Sequence, residues 1–110
     1  MGRRLKLQRI FEQLLKPYLP EDSVLSNFVH FQPPEGIKLT YPCIVYDIDF
    51  RQSEYADNAP YSTKVRYQAT VMYADPDSSL PADIAKLSMS SFDRAFKSDY
   101  LNHEVFNIYY

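Results

Sequence analysis

The chain has 110 residues, 45% hydrophobic and 24% charged, which excludes extensive disorder and predicts a single domain. Its net charge of −2 argues against a dedicated nucleic-acid-binding protein, because such proteins carry a basic surface. The chain contains only two glycines, which argues against the glycine-rich phosphate loops of Rossmann and P-loop proteins.

The N-terminal segment predicts an amphipathic helix over residues 3–16. Proline ends this helix, since Pro17 and Pro20 cannot continue its hydrogen bonding. Residues 1–4 lack the apolar stretch of a signal peptide, and no apolar run approaches the ~20 residues of a transmembrane helix. Three- and four-residue spacing places one apolar stripe on the helix: Leu7, Ile10, Phe11, Leu14 and Leu15.

The middle of the chain predicts three strands. A short strand over 27–32 and a turn at 33–36 come first. Alternating side chains then predict strands over 43–51 and 61–73. The polar loop expected between them, residues 52–60, is too short for a crossover helix, so we expect an antiparallel hairpin.

The C-terminal third predicts a turn, a helix and a strand. The sequence DPDS at 75–78 is typical of a turn that starts a helix, which we place over 79–88. Residues 90–103 follow neither period, and a last strand is predicted over 104–110. The order α-β-β-β-α-β predicts an α+β domain spanning 1–110, with a mixed or mostly antiparallel sheet and helices on one face.

The residues most often found in catalytic or metal sites have simpler roles here. His30 and His103 belong to no zinc-binding spacing; we expect His30 on the sheet surface and His103 in a turn, bonded to nearby backbone. Cys43 lies in a predicted strand, where a thiol usually serves as a small buried apolar group. We therefore expect no enzyme activity, cofactor or metal.

The predicted hairpin has a charged outer face. Asp47 and Asp49 share one side of the first strand. Lys64 and Arg66 share one side of the second strand, so we expect opposite charges to face each other. A divalent-cation site on the two aspartates is the less favoured alternative, and a subunit contact is the functional hypothesis.

Two further segments are candidate contacts. The loop at 52–60 carries aromatic side chains that gain little from its own core, which suits ordering on a partner, although a solvated connector is the alternative. Asp93 and Arg94 follow Phe92 and form either a local ion pair or an anchor for a neighbouring subunit. The candidate residues of the loop and its border are Tyr55, Asp57, Asn58 and Tyr61.

Several strings resemble small proteins encoded in the head–tail gene clusters of tailed bacteriophages. The likeness spans roughly residues 5–110 and is closest to the tail terminator, or tail completion, family. It is carried by FQPPEGIKLTYPCIVY at 31–46, YADN at 55–58, RYQATV at 66–71, DPDS at 75–78, SFDR at 91–94 and LNHEVF at 101–106.

This resemblance implies a structural role in the virion. Tail terminators are α+β subunits that form a homo-hexameric ring, cap the tail tube and present a surface to the head-completion or connector protein. The resemblance therefore implies assembly in the host cytoplasm, location at the neck, no membrane, and DNA passage without sequence-specific binding. A head-closure or adaptor subunit is the first alternative; a small metal-dependent enzyme and a cellular regulatory module are the others.

Overall fold

The computed structural model describes residues 2–56 and 59–110, with side chains described for 2–49 and 65–110. Among the described residues, neither α-helix has the length and hydrophobicity needed to cross a bilayer. Single turns of 3-10 helix occupy Lys16–Tyr18 and Leu25–Asn27. The elements in chain order are α1 (Arg3–Leu15), β1 (Val29–Phe31), β2 (Cys43–Ala56), β3 (Ala59–Tyr73), α2 (Leu80–Ala85), β4 (Ser90–Ser98) and β5 (Leu101–Tyr109).

Helix α1 confirms most of the predicted apolar stripe: Leu14 is partly buried against the core, whereas Ile10 is half-exposed and is not among the residues packed on the core. Leu7, Phe11 and Leu15 are fully buried, as their spacing on one helix face requires. The helix ends where Pro17 enters a turn of 3-10 helix. Burial of this stripe, more than intrinsic propensity, therefore holds α1 in place.

The five strands form one mixed sheet in the order β1-β2-β3-β5-β4. Strand β1 runs parallel to β2, and the other neighbours are antiparallel. The predicted hairpin is confirmed by the β2–β3 pairing. The α+β class is likewise confirmed, with one strand more than expected.

Both helices pack on one face of the sheet, as predicted. The alternation read from the sequence places the correct side chains on that face. Tyr46 and Phe11 meet edge to face there, with ring centroids 5.2 Å apart. The buried strand residues of this core are Val29, Ile44, Tyr46, Tyr67, Ala69, Val71, Phe106 and Ile108.

The predicted loop over 52–60 is wrong for most of its length. Strand β2 continues to Ala56 and β3 begins at Ala59, while Asp57 and Asn58 lie outside the described residues. Alternation of apolar and polar residues reports burial of one sheet face. Here both strands continue past the segments in which that alternation was read.

Residues 90–103, left without an assignment, contain β4 and the start of β5. Strand β4 is exposed along almost its whole length, so it carries no alternating pattern. Asp99 and Tyr100, which join β4 to β5, have φ values of 51° and 65°. A two-residue hairpin turn of this kind usually contains glycine. The sequence Asp-Tyr therefore does not predict a turn here.

Other predicted boundaries shift by a few residues. Strand β1 spans only Val29–Phe31, because Leu25–Asn27 forms a turn of 3-10 helix. Helix α2 ends at Ala85 rather than at residue 88. After Ala85 the backbone N–H groups of Leu87 and Ser90 donate to the carbonyl oxygens of Ile84 and Leu87. These bonds span three residues rather than the four of an α-helix, and they lead the chain into β4.

Candidate interaction surfaces

The β2–β3 hairpin projects beyond its neighbours in the sheet. Pairing with β1 ends at Tyr46, and pairing with β5 ends at Arg66. The remaining pairs, from Arg51↔Val65 to Ala56↔Ala59, form a two-stranded ribbon roughly 20 Å long. The radius of gyration, 15.1 Å, exceeds the ~13 Å of a compact domain near this length.

The charged face of the hairpin is partly as predicted. Arg66 Nη2 lies 2.7 Å from Asp49 Oδ2, and Arg66 Nε donates to the same oxygen at 2.8 Å. A register shift between Ile48 and Phe50 leaves Asp49 opposite no single residue, as in a β-bulge. The bulge thus places Asp49 beside Arg66; the side chain of Lys64 lies outside those described.

Asp47 has a different environment from Asp49. Its strand partner is Gln68, so the expected pairing of both aspartates with cations does not occur in the backbone register. Asp47 is exposed, but partial desolvation, and then the neighbouring Asp49 carboxylate, raise the pKa of its carboxyl group. Its negative charge is thus disfavoured in the folded protein.

Strand β4 forms the far edge of the sheet and is separated from β2 by β3 and β5. Phe92 packs edge to face on Phe106 with ring centroids 5.7 Å apart, yet 56% of its surface is exposed. Asp93 and Arg94 form an ion pair at 2.8 Å. These two residues lie in an edge strand rather than outside the sheet, and the strand has a register shift between Phe92 and Arg94.

Cys43 has the environment expected of it, whereas each histidine differs from its prediction in one respect. His103 Nδ1 lies 3.1 Å from the Leu101 carbonyl oxygen, but the residue is in β5 rather than in a turn, and its ring stacks on Phe96. His30 is in β1 as predicted, but it is half-buried rather than on the surface, and its buried Nε2 has no hydrogen-bond partner among the described residues. Cys43 is fully buried, and burial raises the pKa of its thiol to about 12.

A cleft of about 250 Å³ that sequence reasoning missed lies between the 3-10 turn that follows α1, the segment before β2, and the end of β3 with the turn after it. We name it the tyrosine cleft, because Tyr18, Tyr41 and Tyr73 line it. Three distant segments supply these rings, so their meeting had no local sequence signal; only the ten tyrosines of the composition hinted at it. The other lining residues are Pro42, Ala74, Asp75 and Ser78.

Two of these tyrosines donate hydrogen bonds from their hydroxyl groups to carboxylates. Tyr18 donates to Asp83 Oδ2, and Tyr73 donates to Glu104 Oε2, each at 2.5 Å. Burial and the Glu104 carboxylate raise the pKa of Tyr73 to about 12, and the bond to Asp83 raises that of Tyr18. Both hydroxyls therefore remain protonated donors at neutral pH.

The predicted contact residues thus fall on two separate surfaces. Asp49 and Arg66 meet at the base of the ribbon, while Asp93 and Arg94 meet on the opposite edge of the sheet. Asp57 and Asn58, and the side chains of Tyr55 and Tyr61, lie outside the described part of the chain.

The described residues hold no group of three or more acidic, histidine or cysteine side chains arranged for a metal ion. No protein-family model and no curated protein matches this sequence.

Proposed function

We propose that this protein is the tail terminator of a long-tailed bacteriophage. In this role six copies form a ring that caps the tail tube, stops its growth and presents the head-completion protein with a docking surface. The ring lies at the neck of the virion, and DNA passes through it without sequence-specific contact.

The observation that carries this proposal is the projecting β2–β3 ribbon. A two-stranded ribbon is only marginally stable in water without further packing. The Ile48 N–H donates to Gln32 Oε1 and the Val65 carbonyl accepts from the Tyr110 N–H. Beyond these two bonds no third strand of the described chain pairs with the ribbon, which leaves its outer edges for a partner. A tubular neighbour or an adjacent subunit would supply the missing contacts.

A second support is the separation of two unlike surfaces within one chain. The ribbon is formed by β2 and β3, whereas β4 is the edge strand at the end of the sheet beyond β5. A closed ring requires a heterologous contact, in which one patch of each copy meets a different patch of the next. The exposed Phe92 and Phe96 of β4 are apolar enough to contribute to such a contact.

The sequence resemblance provides the specific role. Its motifs include YADN at 55–58, whose first two residues end β2, and SFDR at 91–94, which lies in β4. The resemblance distinguishes a tail terminator from other self-associating α+β domains.

The decisive experiment is a native mass measurement of the purified chain, with and without assembled tubes of the tail tube protein from the same gene cluster. We expect a hexamer bound at tube ends. Binding to the portal or connector instead of the tube would identify another neck subunit, and a monomer indifferent to both would refute a neck role.

Variants test which surfaces take part. Deleting residues 55–61 is expected to abolish tube capping, and Arg66→Glu and Arg94→Ala are expected to weaken the ring. Lys38→Glu, on an exposed loop, is the matched charge control. Normal capping by the deletion variant would remove the ribbon from the proposal.

A further inference from the structure

The tyrosine cleft has the chemistry of a receptor for a cationic side chain. Aromatic ring faces attract cations, and the attraction grows when water is excluded. The cleft combines three such rings with Asp75 in its wall, while Asp83 and Glu104 bind two of the hydroxyl groups. Its volume of about 250 Å³ is sufficient for one lysine or arginine side chain.

These carboxylates are not neutralised by cations of the described part of the chain. The two ion pairs with both side chains described join Arg66 to Asp49 and Arg94 to Asp93. Asp75 Oδ1 accepts a hydrogen bond from the backbone N–H of Asp77. The side chain of Asp77 is exposed. The cleft and its rim therefore carry negative charge with no cation bound to it.

The exposed side of α1 carries the complementary charge. Lys6, Arg9 and Gln13 of α1, and Lys16 at its C-terminal cap, follow one another at spacings of three and four residues, which places them on one stripe. All four are exposed, opposite the buried Leu7–Phe11–Leu15 side of the helix. We name this row the cationic stripe.

The first half of this stripe cannot reach the cleft of its own chain. Arg9 precedes Tyr18 by nine residues, which corresponds to about 13 Å along the helix axis. Lys6 is farther away still. Because Leu7, Phe11 and Leu15 are buried, α1 is fixed in its orientation on the sheet. Lys6 or Arg9 could therefore enter only the cleft of another molecule.

We propose that the tyrosine cleft of one copy receives Lys6 or Arg9 from the cationic stripe of a second copy. The two patches differ, so the contact is heterologous and propagates head to tail until a ring closes. This inference rests on the proposed ring and names a subunit contact within it. Opposite charges at such a contact also guide the encounter and its register.

Charge-swapped variants test the pairing. We expect Lys6→Glu/Arg9→Glu, and separately Asp75→Lys/Asp77→Lys, to weaken self-association at least about tenfold. Lys38→Glu/Lys86→Glu makes the same charge change as the first variant at exposed residues that neither line the cleft nor belong to the cationic stripe, and is expected to retain the wild-type oligomer. Thermal unfolding verifies that each variant is folded.

Mixing the two variants provides the sharper result. One variant is acidic on both patches and the other is basic on both, so an equimolar mixture should form an oligomer in which they alternate. Native mass spectrometry distinguishes this mixed species from either variant alone. A mixture that stays monomeric would overturn the inference.

Salt provides a measurement that needs no variant. Raising the ionic strength from about 0.05 M to about 0.5 M shortens the Debye length severalfold, so wild-type self-association should weaken markedly. Salt-insensitive association would contradict an interface dominated by these charges.

The outcomes separate this contact from the proposed function. A wild-type ring that is unaffected by both double reversals overturns the contact and leaves the terminator role standing. Charge-dependent association without tube capping supports the contact and refutes the terminator role. A wild-type chain that is monomeric with and without tubes overturns both.

Discussion

Tyr46→Phe is expected to destabilise the fold by about 1–2 kcal/mol. Tyr46 is fully buried, and its hydroxyl donates to Gln8 Oε1 at 2.6 Å while accepting from Arg4 Nη1 at 3.4 Å. Phenylalanine retains the ring contact with Phe11, so only the hydroxyl is lost. Gln8 cannot turn away easily, because its Nε2 donates to the Val29 carbonyl at 3.1 Å.

The cost arises because the Gln8 carbonyl oxygen would remain partly buried without its donor. In a domain of this length, each kcal/mol lowers the melting temperature by about 4–8 °C. Thermal and urea unfolding followed by circular dichroism measure the effect. Tyr100→Phe removes a hydroxyl from a side chain that is 91% exposed, and is expected to leave stability unchanged.

A double-mutant cycle with Gln8→Met isolates the contact. The double variant should lose about 1 kcal/mol less than the sum of the single changes, because both polar partners are gone. Additive losses, or a Tyr46→Phe variant within a few tenths of a kcal/mol of wild type, would refute this account of how α1 is attached to the sheet.

Three other changes test separate features. Tyr100→Gly should stabilise the protein by about 0.5–1 kcal/mol, because φ at this exposed position is 65°; Tyr100→Ala retains the strain, and equal stability of the two variants would contradict this explanation. The Cys43 thiol, with its pKa raised to about 12 by burial, should resist a thiol reagent at pH 8 until denaturant unfolds the chain; rapid native-state labelling would show that it is accessible. The pKa of Asp47 is higher in the folded than in the unfolded chain, so its contribution to stability falls as pH rises through the folded value. Asp47→Asn should therefore melt above wild type at neutral pH, with the difference shrinking in acid; a pH-independent difference would contradict this sign.

The candidate surfaces were only partly accessible from the sequence. The Asp49–Arg66 pair was expected from strand alternation, although a β-bulge sets its final geometry. Strand β4 was missed because an exposed edge strand lacks the one-sided burial that creates alternation. A hairpin turn at Asp99–Tyr100, without glycine, concealed its end.

The sequence by itself determined the elements that bury one face: α1 through its apolar stripe, and the central strands through their alternation. Periodicity records such burial directly, because each position along an element faces either the core or water. Only the tertiary structure decided how far the ribbon extends and which tyrosines meet. Those features depend on where neighbouring strands stop and on side chains dozens of residues apart, and no local pattern encodes either.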